Sequence, residues 1–376
     1  GVDTAAAPQT VPLDELVRFF DNPARFYFTQ TLNVWFGTDA SAGCAEEEVF
    51  EPNALESYQV RDDMVRTILN HPDDRDALYM ALTQRGLLPL GQPGRAHFDS
   101  AWQDTARYLD SPVPIAGGAE TLGTLLSIPA IWMDIAIPLG AAMLTGRLPV
   151  RVMDGVTLFL SARPASMKPR DVLRAWIRHL ALCAAARLQG ATGPVCTCIV
   201  PKDPAAAVLY MDNAELEPAV ILNQLLALMD AGRQVPLPFT PVTSRVFVEK
   251  AMPAGQPCIR RAAMTDEGRQ KGFLAASAEW EKDDESAFGG AADGDDPYLR
   301  RAFCEAGPMA HAAFADIAYA VFEGMPLRVK AKSSDRTPAA AAVVPAEPGV
   351  SAPETARAKA PRAKRSRKAA DSGEVS

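Results

Sequence analysis

Apolar residues first recur at helical spacing in the stretch VPLDELVRFFDNPARFYFTQTLNVWFG, residues 11–37. Leu13, Leu16, Val17 and Phe20 share one face of a helix. Asn22 is placed to cap a second helix, with Pro23 at its first position. That second helix is expected to carry Phe26, Tyr27, Phe28, Leu32, Val34 and Trp35 and to stop at Gly37. Two apolar helices with a kink between them form a corner. Phe26 and Trp35 are its candidate interface residues, and plain core packing is the alternative.

The pattern changes period at TGRLPVRVMDGVTLFLSARPASMKPRD, residues 145–171. Leu148, Val150 and Val152 fall on alternate positions on one side of Asp154-Gly155, and Val156, Leu158 and Leu160 on the other. An Asp-Gly pair between alternating segments predicts a β-hairpin. Pro169 then starts a helix to about Leu188, with Val172, Leu173, Trp176, Ile177 and Leu180 as its buried stripe. Elsewhere helices are expected near 54–70, 73–86, 97–110, 214–231 (closed by Gly232 as a C-cap) and 309–323. PVCTCIVP reads as a strand, and VPLPFTP as extended chain with Phe239 plugging a core pocket. Residues 111–130, marked by Gly and Pro, read as irregular. Glu46–Glu48 reads as a short acidic loop, and residues 279–296, with eight acids and one lysine, as a solvated one. No internal repeat is evident.

Composition sets the class. The chain has 376 residues, 48% hydrophobic and 22% charged, which is ordinary for a globular protein. It begins with Gly, which fits a fragment or a processed product. The longest apolar stretch, around Ile128 to Leu144, is broken by Pro129, Asp134 and Pro138, so no transmembrane helix is expected. No basic-then-apolar leader opens the chain. The cysteines at 44, 183, 196, 198, 258 and 304 form no CxxC pair, and the histidines at 71, 97, 179 and 311 are scattered. Reduced thiols are expected rather than a zinc site. Residues 331–376 carry nine Lys and Arg against five Asp and Glu; the remainder carries 29 against 41 and is acidic. That last segment, rich in Ala, Pro, Lys and Arg with no aromatic residue, is expected to be a disordered tail, as residues 1–10 are expected to be a disordered leader.

Several motifs are absent: GxxxxGK[ST], a GxGxxG after a strand, and GxSxG. His179 reads as a structural histidine, since a catalytic base would need partners that the sequence does not supply. The hairpin says more. Many metal-dependent nucleases hold Mg²⁺ on a strand–turn–strand–helix unit, through one acid near the first strand and another leading D/E-x-K on the second. Here GRLPVRV and VTLFLSARP contain no acid, and Asp154 sits in the turn. The alternative is an active nuclease with migrated ligands, Asp134 or Asp154 with Asp171.

Arg170, Arg174 and Arg178 recur every four residues on the following helix and make one basic stripe. With Arg147, Arg151, Arg163 and Lys168 they are the candidate DNA contacts. Ordinary salt bridging to the acidic body is the competing reading.

LDELVRFFDNPARFYFTQTLNVWF, EVFEPNALESYQVRDDMV, DVLRAWIRHLALCA, GRQVPLPF, AEW and DPYLRRAF follow in one order. Together they resemble the C-terminal domain of the RecC family, the gamma subunits of exodeoxyribonuclease V (RecBCD), over roughly Val11 to Glu323. The resemblance implies an α/β (α+β) domain spanning residues 11–330, an inactive PD-(D/E)xK nuclease-like fold with a small sheet flanked by helices. It implies a non-catalytic role in strand separation, strand channelling and subunit docking, in repair of double-strand breaks by homologous recombination. The partners would be the beta and alpha subunits, double-stranded DNA ends and forked DNA, in the bacterial cytoplasm and with no membrane. No cofactor is expected in this chain, ATP and Mg²⁺ being used by the partner subunits, and no activity is expected of it alone. A strand-splitting wedge is expected in Pro112 to Trp132 or at the hairpin tip Met153 to Gly155. A protein-interaction scaffold without DNA contact is a further alternative.

Overall fold

The structure, a computed structural model, describes residues 9–36, 54–253, 264–282 and 293–326. Among them, one sheet of six strands organises the rest. Its longest member, β5 (Ala142–Met153), pairs along one side with β4 (Ile131–Leu139), antiparallel. On its other side β5 pairs first with β1 (Gln9–Pro12), parallel and through residues 142–145. It then pairs with β6 (Val156–Ala162), antiparallel and through residues 151–153. Pro149, which has no N–H to give a ladder, falls in the gap between these two partners. Beyond β6 come β7 (Val195–Val200), parallel to it, and β8 (Val208–Met211), antiparallel to β7.

The hairpin forms where the alternating pattern places it. Asp154 and Gly155 have φ of 49° and 78°, the pair of left-handed residues that a two-residue turn of matching twist requires. α7 (Pro169–Leu188) has the bounds the sequence predicts. It packs with α1 (Leu13–Asp21) and α8 (Pro218–Gly232) on one face of the sheet, over Leu148, Val150, Phe159 and Ile199. The other face of β6 and β7 presents Leu158, Leu160, Cys196, Cys198 and Val200 to Val113, Leu122 and Leu125. Burial on both faces explains why VCTCIV is apolar or small throughout instead of alternating. The mixed α/β architecture, a small sheet flanked by helices, is as expected from the sequence.

Several expectations are corrected. The helix after Pro23 does not reach Gly37. α2 (Pro23–Phe26) passes into a π-helical turn, Tyr27–Thr31, and ends there, leaving Asn33 at φ 53° and Trp35 63% exposed. Phe26 is half-buried, with its ring edge-on to Phe19 at 5.3 Å. Residues 111–130 are regular for the most part, forming a hairpin of β2 (Pro112–Ile115) and β3 (Gly118–Thr121), then α6 (Leu122–Ser127). Gly232 is not a left-handed cap. It is the last residue of α8, and glycine is needed there because a Cβ would meet the Phe19 ring at 2.4 Å. Gln9 and Thr10, expected in a leader, belong to β1.

The remaining helices are α3 (Ala54–Asn70), α4 (Arg75–Gln84), α5 (Gly91–Leu109), α9 (Pro241–Ala251), α10 (Asp266–Trp280), α11 (Pro297–Phe303) and α12 (Phe314–Phe322). The sequence pattern does not predict α9 and α10, and α10 takes in the first two residues of the expected acidic loop. At the loop's other end Asp293 is half-buried, accepting from the Thr243 backbone N–H and from the Thr240 and Thr243 hydroxyls at the start of α9. Phe239 is fully buried, as its extended segment predicts. The acidic stretch Glu46–Glu48, residues 283–292 and residues 331–376 lie outside the described residues.

Candidate functional site

A cleft of about 170 Å³ opens at the carboxyl ends of the parallel strands β6 and β7. Such strand ends are where open α/β sheets place ligands. Its floor is Phe159 and Ile199, and its walls are Arg163, Asp171, Arg174 and Arg178. The loop from Arg163 to Lys168 is pinned to the end of β7: the Arg163 N–H donates to the Val200 carbonyl (2.9 Å), and the Lys202 N–H to the Ala165 carbonyl (3.0 Å). Tyr108 of α5 donates its hydroxyl to the same Val200 oxygen (3.0 Å), and burial raises its pKa well above the ordinary phenol range.

Asp171 organises the entrance. One carboxylate oxygen accepts the Lys168 backbone N–H (3.2 Å), closing the first turn of α7. The other accepts from Arg163 (3.2 Å) and Arg174 (3.5 Å). Arg174 also grips Asp21 of α1 with two nitrogens, at 2.6 and 2.7 Å. Its hydrogen bond with Asp21 raises its pKa, so the guanidinium charge is fixed. Arg178 donates to Asp14 of α1 at 3.1 Å. Arg163, Arg174 and Arg178 thus face Asp14, Asp21 and Asp171. Lys168 and Arg170, which adjoin Met167 and Asp171 in the chain but do not line the cleft, have no ion-pair partner among the described residues.

The structure therefore brings three of the seven candidate cations, Arg163, Arg174 and Arg178, into one cleft, with Lys168 and Arg170 beside them in the chain. Arg147 and Arg151 lie apart. They alternate with buried Leu148 and Val150 and so project from the face of β5 opposite α7. Arg147 pairs with Asp134 (2.7 Å), both exposed, and Arg151 donates to the Ile128 carbonyl (3.1 Å), half-buried, with burial lowering its pKa. Sequence reasoning misses the acids Asp14 and Asp21, although their spacing of seven residues places them on one helical face.

The donor set does not suit a divalent metal, which needs several oxygen ligands. β5 and β6 contribute no acid, and the one carboxylate on α7 that lines the cleft, Asp171, is occupied by two guanidiniums and a backbone N–H. Among the described residues no group of three or more His, Cys, Asp or Glu is assembled for a metal. Asp154 and Asp171 lie beyond opposite ends of β6, and Asp134 is spent on Arg147. His179 is one residue from Arg178 but points into the core, fully buried. It contacts Thr197 Oγ1 through Nδ1 (3.1 Å) and Cys183 Sγ through Nε2 (3.5 Å), and stacks on Trp176. Burial lowers its pKa to about 4, outweighing nearby Asp212, so it is neutral and structural.

The interface candidates are split. Phe26 belongs to the core, whereas Trp35 stands exposed beside Leu32 and Val34, also exposed. In the two segments expected to hold a wedge, Trp132 at the start of β4 is the large exposed aromatic, at 67%. No described helix is long and apolar enough to cross a membrane.

These features define a mixed α/β domain whose cleft is built from paired cations, with no set of metal ligands among the described residues. The chain belongs to the RecC C-terminal domain family, whose model matches residues 8–252. That span contains the first four of the six stretches that carry the resemblance. A RecBCD enzyme subunit RecC from Escherichia coli (strain K12) is 27% identical over 177 residues, 47% of this chain and 14% of the relative. The RecC subunit of Mycolicibacterium smegmatis is 27% identical over 262 residues, 64% of this chain and 21% of the relative. That of Haemophilus influenzae is 24% identical over 175 residues, 46% and 15% respectively. The matched region is therefore a small fraction of the length of those relatives.

Proposed function

We propose that this domain is a nuclease-like core of the PD-(D/E)xK kind that has lost its metal ligands, and that it serves inside a RecBCD-type complex. Its tasks there are handling of DNA strands and docking of neighbouring subunits, during processing of double-strand ends. One observation carries the reading: the β5–turn–β6–α7 unit is present, yet the two strands that would bear the acids bear none, and arginines line the cleft instead. Function follows from the site and not from the fold alone, so the missing ligands outweigh the topology. Family membership supports the assembly role. Lys168 and Arg170, which have no ion-pair partner among the described residues, and the exposed Trp35 are the groups left available for DNA and for a partner.

A nuclease assay tests the first part. The chain should leave linear DNA intact in Mg²⁺ or Mn²⁺. Cleavage abolished by Asp171→Ala or Asp154→Ala would establish the active-nuclease alternative. Binding to forked DNA, measured against salt, tests the second. Neutralising Lys168 and Arg170 should flatten the dependence of log affinity on log salt by about 0.7 to 0.9 for each phosphate no longer neutralised. An unchanged slope favours a scaffold without DNA contact, a reading that the internal pairing of Arg174 and Arg178 would suit.

A further inference from the structure

A second cavity, of about 300 Å³, lies across the 163–167 loop from the cleft, between α3, α5 and the segment that follows β7. Three cations line it: Arg61 of α3, Arg107 in the last turn of α5, and Lys202. It contains one acid, Asp104, and that acid is taken up by Arg107 at 2.5 Å. The Arg61 guanidinium and the Lys202 ammonium have no hydrogen-bond or ion-pair partner among the described residues. Its hydroxyls are already committed, Thr105 to the Ala101 carbonyl and Ser111 to the Arg107 carbonyl, so the ligand-binding potential of the cavity is cationic.

The two recesses share a wall. Arg163 reaches Asp171 on the first side and lies over the Tyr58 ring of α3 (5.7 Å) on the other. Tyr58 is three residues from Arg61, on the same face of α3. Lys202 is held to this wall by its backbone N–H, which donates to Ala165. Arg174 and Arg178 on one side and Arg61 and Lys202 on the other therefore flank a single short loop, which Lys168 and Arg170 follow in the chain. A small anion can satisfy only one recess, whereas a chain of phosphates can occupy both. Recesses divided by a narrow ridge suit a flexible strand, which can bend its backbone into them, better than a stiff duplex.

We propose that the second cavity is a phosphodiester subsite for single-stranded nucleic acid, continuous with the first cleft, with Arg61 and Lys202 as its anion ligands. The proposal rests on the DNA-handling reading above and adds residues to it. It is tested on the full chain with a fluorescein-labelled thymidine oligonucleotide, and with the same oligomer carrying 5-iodouracil for cross-linking and peptide mapping. Arg61→Gln with Lys202→Gln should raise Kd about ten-fold at low salt and lower the salt slope by about 0.7 for each phosphate no longer neutralised. Cross-links should fall on the peptides bearing α3, the end of α5 or residues 201–204. Because neither cation has a partner to orphan, the double variant should melt with the parent. Unchanged Kd and slope in this variant, with weakened binding after Lys168→Gln and Arg170→Gln, would overturn the second subsite while the DNA reading stands. Cross-links confined to residues 331–376, with both double variants binding like the parent, would overturn the two together. Inorganic phosphate that protects this cavity, with no oligonucleotide cross-link there, would make it a free-anion site and overturn the strand assignment.

Discussion

Arg174 holds Asp21 with two guanidinium nitrogens across 153 residues of sequence, and so clamps α7 to α1. Both side chains are about two-thirds buried or more. Asp21→Asn should therefore cost about 1–2 kcal/mol, between the limits for exposed and buried pairs. Denaturant titration of Asp21→Asn, Arg174→Ala and the double variant would give the coupling energy directly. Arg174→Lys should recover little, since an ammonium cannot reproduce the fork. Additive single losses would show that the pair contributes nothing.

His179 makes stability depend on pH in a definite direction. Its folded pKa, about 4, lies below the ordinary value near 6.5, so between the two the unfolded chain binds a proton that the folded chain does not. Stability should fall as the pH drops from about 6.5 to about 4, by roughly 3 kcal/mol from this group. In His179→Gln that part of the slope should vanish, although the variant is less stable at neutral pH. Urea midpoints measured across this window, if parallel for parent and variant, would contradict the assignment.

Gly232→Ala tests the packing of α8 on α1. The new methyl would stand 2.4 Å from Phe19 Cζ and 2.9 Å from Cε2, inside a fully packed core. Overpacking of this kind costs about 1–3 kcal/mol. If Gly232 merely ended a helix, alanine would be nearly neutral; a lowered melting temperature separates the two.

Phe26 and Trp35 should respond differently to truncation. Phe26→Ala removes a half-buried ring from the core and should destabilise the fold by about 2 kcal/mol, less than a fully buried phenylalanine. Trp35→Ala removes an exposed ring and should leave the melting temperature within about 1 °C while weakening association with a partner subunit. Calorimetry of each variant, with co-purification of the subunits, reads both effects. Full partner recovery with Trp35→Ala would free that face from an interface role.

What the sequence made legible was local. α7 is bounded by Pro169 and filled with a wide apolar stripe, and the hairpin is fixed by Asp154-Gly155. β1, β4 and β8 escaped for distinct reasons. β1 and β8 are four residues long, and β1 has its partner more than 130 positions away. β4 contains Pro138, which breaks an apolar run on paper but is tolerated in a strand paired on one side only. The basic stripe was visible, but the acids that neutralise most of it come from another helix. Cys196 and Cys198 read as ordinary thiols; they sit in a dry core, where burial pushes Cys198 up to about 12. The second cavity is assembled from four segments separated by tens of residues, which no local pattern reveals.

The parallel pairing of β1 with β5 also sets an order of events during synthesis. Val11 meets Leu144, and the ribosome must add 133 residues before that contact exists. At about 5–20 residues per second the wait is roughly 7 to 27 s. Throughout it the face of α1 bearing Leu13, Leu16, Val17, Phe19 and Phe20, all fully buried at the end, has no sheet to cover it. The apolar face of α1 is thus left uncovered until the strands that shelter it emerge.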